Sequence, residues 1–159
     1  MRKILMVILV LAGMSGEASA KWFLAGGANL GYLKDHFGFV LKPSAGYEFN
    51  DRWAVGLGLG MGFATGDNGY GYVEPYVRFN CWSNDKVYFD LKGRGEFLFN
   101  EGLGGGQIGI TPSIRCSLND HWQLYSDVGL FGAEYLDDKW RPAMGVGSLG
   151  IAAGVIYNF

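Results

Sequence analysis

Trp53-Ala54-Val55-Gly56-Leu57-Gly58-Leu59-Gly60-Met61-Gly62-Phe63-Ala64 alternates without a break: each odd position is large and apolar, each even position is Gly or Ala. A period of two belongs to a β-strand, whose successive side chains leave on opposite faces. A face made of Trp53, Val55, Leu57, Leu59, Met61 and Phe63 is not built for water, and the opposite face leaves room for bulky neighbours. The pattern fits a strand with lipid on one side and a packed interior on the other.

The stretch follows Asn50-Asp51-Arg52, and the same kind of triplet returns as Asn84-Asp85-Lys86 and Asn119-Asp120-His121, at spacings of 34 and 35 residues. Two membrane-length strands with a turn and a loop occupy about that many residues. Short polar side chains accept turn dihedrals and bond to nearby backbone, so each Asn-Asp marks a tight turn on one common side. Trp53 and Trp122 follow two of these turns, Trp82 precedes the third and Trp22 opens the first strand. Trp in a row on one rim points to a membrane interface.

Composition agrees with an all-β chain: 27 Gly and 25 aromatic residues stand against 4 Pro in 159 residues. Glycine at that density disfavours helices, while aromatic and β-branched residues favour strands. Residues 1–20 carry Arg2 and Lys3, an apolar run from Ile4 to Ala12 and the small-residue end Ala18-Ser19-Ala20. They read as a secretory signal peptide, which leaves residues 21–159 as the barrel domain. Without Arg2, Lys3 and Glu17, that domain has 11 Lys and Arg against 14 Asp and Glu. No basic excess suggests nucleic acid.

Alternation continues in the other segments. Outward sets are Trp22, Leu24, Gly26, Ala28, Leu30 and Tyr32, then Phe37, Phe39, Leu41, Pro43, Ala45, Tyr47 and Phe49. Val73, Pro75, Val77 and Phe79 follow, then Val87, Phe89, Leu91, Phe97 and Phe99, then Ile108, Ile110, Pro112 and Ile114. Trp122, Leu124, Val128 and Leu130 form the seventh set, and the last runs from Leu149 to Phe159. Eight strands of about 12 residues leave about 43 residues for seven connections, whereas ten would leave too few for the visible loops. The expectation is an eight-stranded antiparallel up-and-down transmembrane β-barrel, with local bulges at Pro43, Pro75 and Pro112, which lack a ladder donor.

Five acids (Glu48, Glu74, Asp90, Glu96, Asp127) and five bases (Lys42, Arg78, Lys92, Arg94, Arg115) face inward on this reading. Balanced charge predicts a salt-bridged plug, since buried ions need partners to offset desolvation. A selective pore would carry an excess of one sign. The competing reading is a cavity for a small hydrophobic ligand over the Gly56–Gly62 face. A soluble calycin-like barrel is the alternative fold, and it requires the opposite facing, with charge outside.

The segment Gly46-Tyr47-Glu48-Phe49-Asn50-Asp51-Arg52-Trp53-Ala54-Val55 resembles the periplasmic hairpin turn of small bacterial outer-membrane barrels of the OmpX and OmpA barrel-domain kind. The ending Gly154-Val155-Ile156-Tyr157-Asn158-Phe159 is similar to the C-terminal signal of that class, with Ala152 where the pattern prefers a polar residue. The resemblance implies an integral protein of the bacterial outer membrane, with periplasmic termini and turns, contacting membrane lipid as a monomer. It also implies that Gly154, Tyr157 and Phe159 are read by the barrel-assembly machinery.

Surface loops on that scheme are Leu33 to His36, Thr65 to Gly71, Asn100 to Gly106 and Leu136 to Ala143. An adhesin would use Tyr70, Asp137, Asp138, Lys139, Trp140 and Arg141 as contacts. A lipid-modifying enzyme would need a His with a nucleophile and an acid. His36 and His121 are the two histidines, and neither has a nucleophile placed beside it in sequence. No cofactor is expected. Asp67-Asn68 and Asp137-Asp138 fall short of a recognised Ca²⁺ loop. Cys81 and Cys116 come from strands with one strand between them, so free lipid-facing thiols are expected. The functional expectation is a closed, non-catalytic barrel that supports the envelope, with surface contacts through its loops.

Overall fold

The computed structural model describes residues 21–33, 36–64, 69–99, 105–136, 139–145 and 151–159. The leader-like residues 1–20 and the loop tips, including Asp67, Asn68, Asp137 and Asp138, lie outside them. Ten strands occur among the described residues: β1 (Lys21–Leu33), β2 (His36–Glu48), β3 (Trp53–Ala64), β4 (Tyr70–Ser83), β5 (Val87–Phe99), β6 (Gly106–Ser117), β7 (Trp122–Val128), β8 (Leu130–Leu136), β9 (Lys139–Gly145) and β10 (Ile151–Asn158).

Each of β1 to β6 pairs antiparallel with its neighbour in sequence; β6 then pairs with both β7 and β8, β8 with β9, β7 with β10, and β10 with β1. Thus β7 with β8, and β9 with β10, each act as one interrupted stave, and the sheet closes into an eight-stranded antiparallel barrel.

Facing is inside-out relative to a water-soluble barrel. Leu57 is 54% exposed while Asp90 is 0% exposed. Leu24, Leu59, Phe63, Phe97, Ile108, Ile110 and Leu124 all face outward, and Arg78, Arg94 and Arg115 are buried within. A calycin-like core is therefore excluded. An outer wall of this kind needs hydrocarbon around it, and the β1–β10 and β5–β6 ladders close the sheet so that these strands satisfy one another's backbone groups. The molecule is a transmembrane β-barrel.

The three Asn-Asp triplets are the hairpin turns of one rim, called here the turn end. Asn50 Oδ1 accepts the N–H groups of Arg52 and Trp53, both at 2.9 Å. Asn84 Oδ1 does the same for Lys86 at 3.0 Å and Val87 at 2.8 Å, and Asn119 Oδ1 for His121 and Trp122 at 2.9 Å. Trp22, Trp53, Trp82 and Trp122 stand exposed on this rim. Three of them pack against a cross-strand aromatic: Trp22 with Tyr47 at 5.1 Å, Trp53 with Phe79 at 4.6 Å and Trp122 with Tyr157 at 5.0 Å between ring centroids.

Several expectations are corrected. Register is the same on both sides of Pro43 and of Pro75, so the ladder lapses locally without a bulge. At Pro112 the extra residue lies in the opposing stave: Thr111 and Pro112 face Val128, Gly129 and Leu130. Gly129 sits there at φ 71°, a left-handed conformation that favours glycine. The bulge reverses the phase, so Leu130 turns inward at 1% exposure and Phe131 faces out. A second bulge leaves Cys81 unpaired between Asn80 and Trp82.

The segment read as a loop from Leu136 to Ala143 is mostly strand, because Lys139, Trp140 and Arg141 belong to β9 opposite Leu136, Tyr135 and Glu134. Leu33 and His36 likewise close the β1–β2 ladder, and Tyr70, Gly71 and Gly106 are strand residues.

Candidate functional site

The lumen holds the ionisable side chains, and register decides which of them meet. Toward the loop end, Lys42, Lys92 and Arg94 interleave with Glu74, Glu96 and Asp127. Glu74 is the hub: Lys92 Nζ lies 2.8 Å away, Arg94 Nη1 3.1 Å and Lys42 Nζ 3.6 Å. Lys42 and Arg94 also reach Glu96 at 3.5 and 3.2 Å, and Lys92 reaches Asp127 at 3.3 Å. The Gln107 side-chain amide donates to Glu96.

Toward the turn end a second island pairs Arg78 and Arg115 with Glu48 and Asp90. Arg78 donates to Glu48, Arg115 Nε lies 2.5 Å from Asp90 Oδ2, and Arg115 Nη1 lies 3.6 Å from Glu48. Asn80 and Gln123 complete the island through hydrogen bonds of 2.8 Å to Asp90 and from Arg115. The ten charged residues thus divide into two separately neutral groups. Each ion is matched locally, which is what compensates burial.

Aromatic rings lie between and around the islands. Lys92 Nζ lies 4.3 Å from the Tyr76 ring centroid, Arg115 stacks over Tyr88 at 4.7 Å and Arg78 over Phe23 at 5.1 Å. Phe23, Ala54, Tyr76 and Ile156 form an apolar layer inside the barrel.

Tyr70, Tyr72 and Tyr76 on β4 are the register partners of Gly62, Gly60 and Gly56 on β3, and each ring covers its glycine so closely that a Cβ would overlap it. Phe23 covers Gly46, and Tyr125 covers Gly154, in the same manner. The Gly56–Gly62 face, the alternative place for a ligand cavity, is thus covered by tyrosine rings at Gly56, Gly60 and Gly62 and left open only at Gly58. Voids of about 20 and 10 Å³ lie beside Tyr125 and Lys92, the scale of a single water. Below the second island a vestibule of about 490 Å³ opens at the turn end.

Of the residues considered as surface contacts, Tyr70 lies over Gly62 and stacks on Tyr72 at 6.3 Å, while remaining 37% exposed. Trp140 is exposed at the loop end and packs 5.3 Å from Tyr135; Lys139 and Arg141 are exposed beside it. Asp137 and Asp138 lie outside the described residues, as does the His36 side chain. His121 Nδ1 lies 3.0 Å from the Asn158 carbonyl oxygen and its ring stacks on Tyr157 at 5.7 Å, a structural engagement with the last strand. Cys81 and Cys116 are free thiols. At the closing seam the Phe159 N–H donates to the Trp22 carbonyl at 3.1 Å, and Gly154 pairs with both Gly27 and Tyr125.

Sequence reasoning missed Phe23 and Ile156 as interior apolar groups, although both sit at inward parity. It placed bulky neighbours over the small inward face but could not say which tyrosine covers which glycine, because that depends on register.

The site and fold together define a closed transmembrane β-barrel with a plugged lumen. No protein-family model matches the sequence and no curated protein matches it. A solved structure described as "De novo design of transmembrane beta-barrels" aligns at a TM-score of 0.49 with 12% identity, covering 92% of this chain and 100% of that one.

Proposed function

We propose that this chain is a structural barrel of the bacterial outer membrane, which supports the envelope and conducts neither ions nor small solutes. The observation that carries the reading is the lumen, filled by two neutral ion-pair islands and by tyrosines seated on glycines. The compartment follows from the leader-like start and the resemblance to OmpX and OmpA barrel domains. So do monomeric insertion among outer-membrane lipids and delivery by the barrel-assembly machinery. A non-catalytic role accords with His121 being held by a backbone carbonyl. Surface interaction, in this proposal, falls to the loop-end rim around Trp140, Lys139 and Arg141.

The test is reconstitution of the purified barrel in planar bilayers. The expected record is flat, without stable open levels, and cells lacking the protein should become more permeable to detergents. Large, long-lived single-channel steps from the unmodified chain would overturn the sealed-barrel reading.

A further inference from the structure

We propose that the turn-end vestibule binds a short zwitterionic peptide with free amino and carboxyl termini. Its volume, about 490 Å³, falls within the range of small-ligand sites. The floor is the Arg78, Arg115 and Glu48 island, whose charges are already matched, so recognition falls to the rim. Going around the barrel, Lys21 on β1 and Arg52 on the β2–β3 turn stand on one side. Asp85 on the β4–β5 turn and Asp120 on the β6–β7 turn stand on the other. None of these four forms an ion pair among the described residues.

Asp51, beside Arg52, softens the basic side without reversing the separation. The acidic side has no such offset, since Lys86 and His121 from the same two turns are not part of the cavity wall. A dipolar mouth matches a ligand with an ammonium at one end and a carboxylate at the other.

The second, independent observation is Asn158. It lines the same vestibule and is only 5% exposed, and its buried Oδ1 has no hydrogen-bond partner among the described residues. A buried acceptor left unpaired is costly, and the N–H of a peptide bond supplies the missing donor. The repeated turns fit this division of labour. In each triplet the Asn side chain is consumed by the turn's own N–H groups, whereas the Asp lines the vestibule.

The experiment uses the full barrel refolded in detergent micelles, with tetra-alanine as the probe and amide chemical shifts as the readout. Saturable shifts should centre on the Asn158 side-chain amide and on the Asp85 and Asp120 turns, and weaken as salt is raised. Blocking the peptide by acetylation and amidation should weaken binding about tenfold, and Asp85→Asn with Asp120→Asn by a similar factor, as two exposed pairs warrant. Both aspartates are exposed rim residues, so the double variant should fold normally.

Absence of saturable shifts would overturn the proposal. So would equal binding of the blocked peptide, or displacement by spermidine alone at the same groups, which would make the mouth a simple cation site. The sealed-barrel reading rests on conductance and is unaffected by any of these results.

Discussion

Gly60 and Gly26 separate the two faces of the barrel wall at the scale of one hydrogen atom. A Cβ on Gly60 would enter the Tyr72 ring, while one on Gly26 would meet nothing within 4 Å. Gly60→Val should therefore destabilise the barrel by about 1–3 kcal/mol through overpacking. Gly26→Ala should be close to neutral; equilibrium unfolding in urea measures both, and equal effects would contradict the assigned facing. Charge deletions differ in the same residue-specific way. Arg115→Ala strips fully buried Asp90 of its cation and should cost about 3–5 kcal/mol. Arg94→Ala should cost less, because Lys42 and Lys92 remain on Glu74 and Lys42 on Glu96. Which carboxylate meets which base was not legible in the sequence. Parity places a side chain inside or outside, whereas partner choice needs the register, and the turns fix that only once folded. By parity alone Arg94 could meet Glu74 or Asp90; the register gives it Glu74 and Glu96, and gives Asp90 to Arg115.

At the scale of elements, β1 to β3, β5 and β6 were readable because each keeps one parity from end to end, and β4 keeps it as far as Asn80. The seventh stave does not. Val128 and Leu130 look like successive outward residues, yet the bulge at Gly129 inserts one position and turns Leu130 inward. A lone Gly inside an alternating run is the sequence's only mark of that event, in a chain where glycine is abundant. The β8–β9 hairpin was concealed for a related reason: Asp137-Asp138, Lys139 and Arg141 resemble a polar loop, although only two residues separate the strands. Spin labels give a direct check. A label at Phe131 should report lipid and one at Leu130 should not, while uninterrupted alternation from Leu124 would give the reverse. Gly129→Val should cost about 1–3 kcal/mol, since a β-branched residue does not adopt the left-handed conformation without strain. Gly129→Asn should be milder, because asparagine visits that region more readily.

At the scale of the whole molecule, closure depends on β1 meeting β10, and Phe159 ends that seam. Its N–H donates to the Trp22 carbonyl at 3.1 Å, and its ring lies 5.2 Å from Tyr157 within the exposed aromatic rim. Deleting Phe159 removes one backbone hydrogen bond and one half-exposed ring contact, together worth about 1–2 kcal/mol in the folded state. A loss of that size leaves a barrel of this kind able to refold in detergent, where closure is driven by the remaining β1–β10 ladder from Phe23 to Asn29. Assembly in cells, on the proposed delivery route, poses a different requirement, because an assembly factor would engage the last strand before the ladder exists. At that stage the terminal aromatic is available and the interior islands are not. The resemblance assigns this recognition role to Gly154, Tyr157 and Phe159. The expected outcome is therefore a split: near-normal refolding in detergent, with unfolded chain accumulating in the periplasm instead of inserting. Normal insertion of the shortened chain in cells would reduce Phe159 to an ordinary belt residue, and a failure in both settings would make it part of the fold itself.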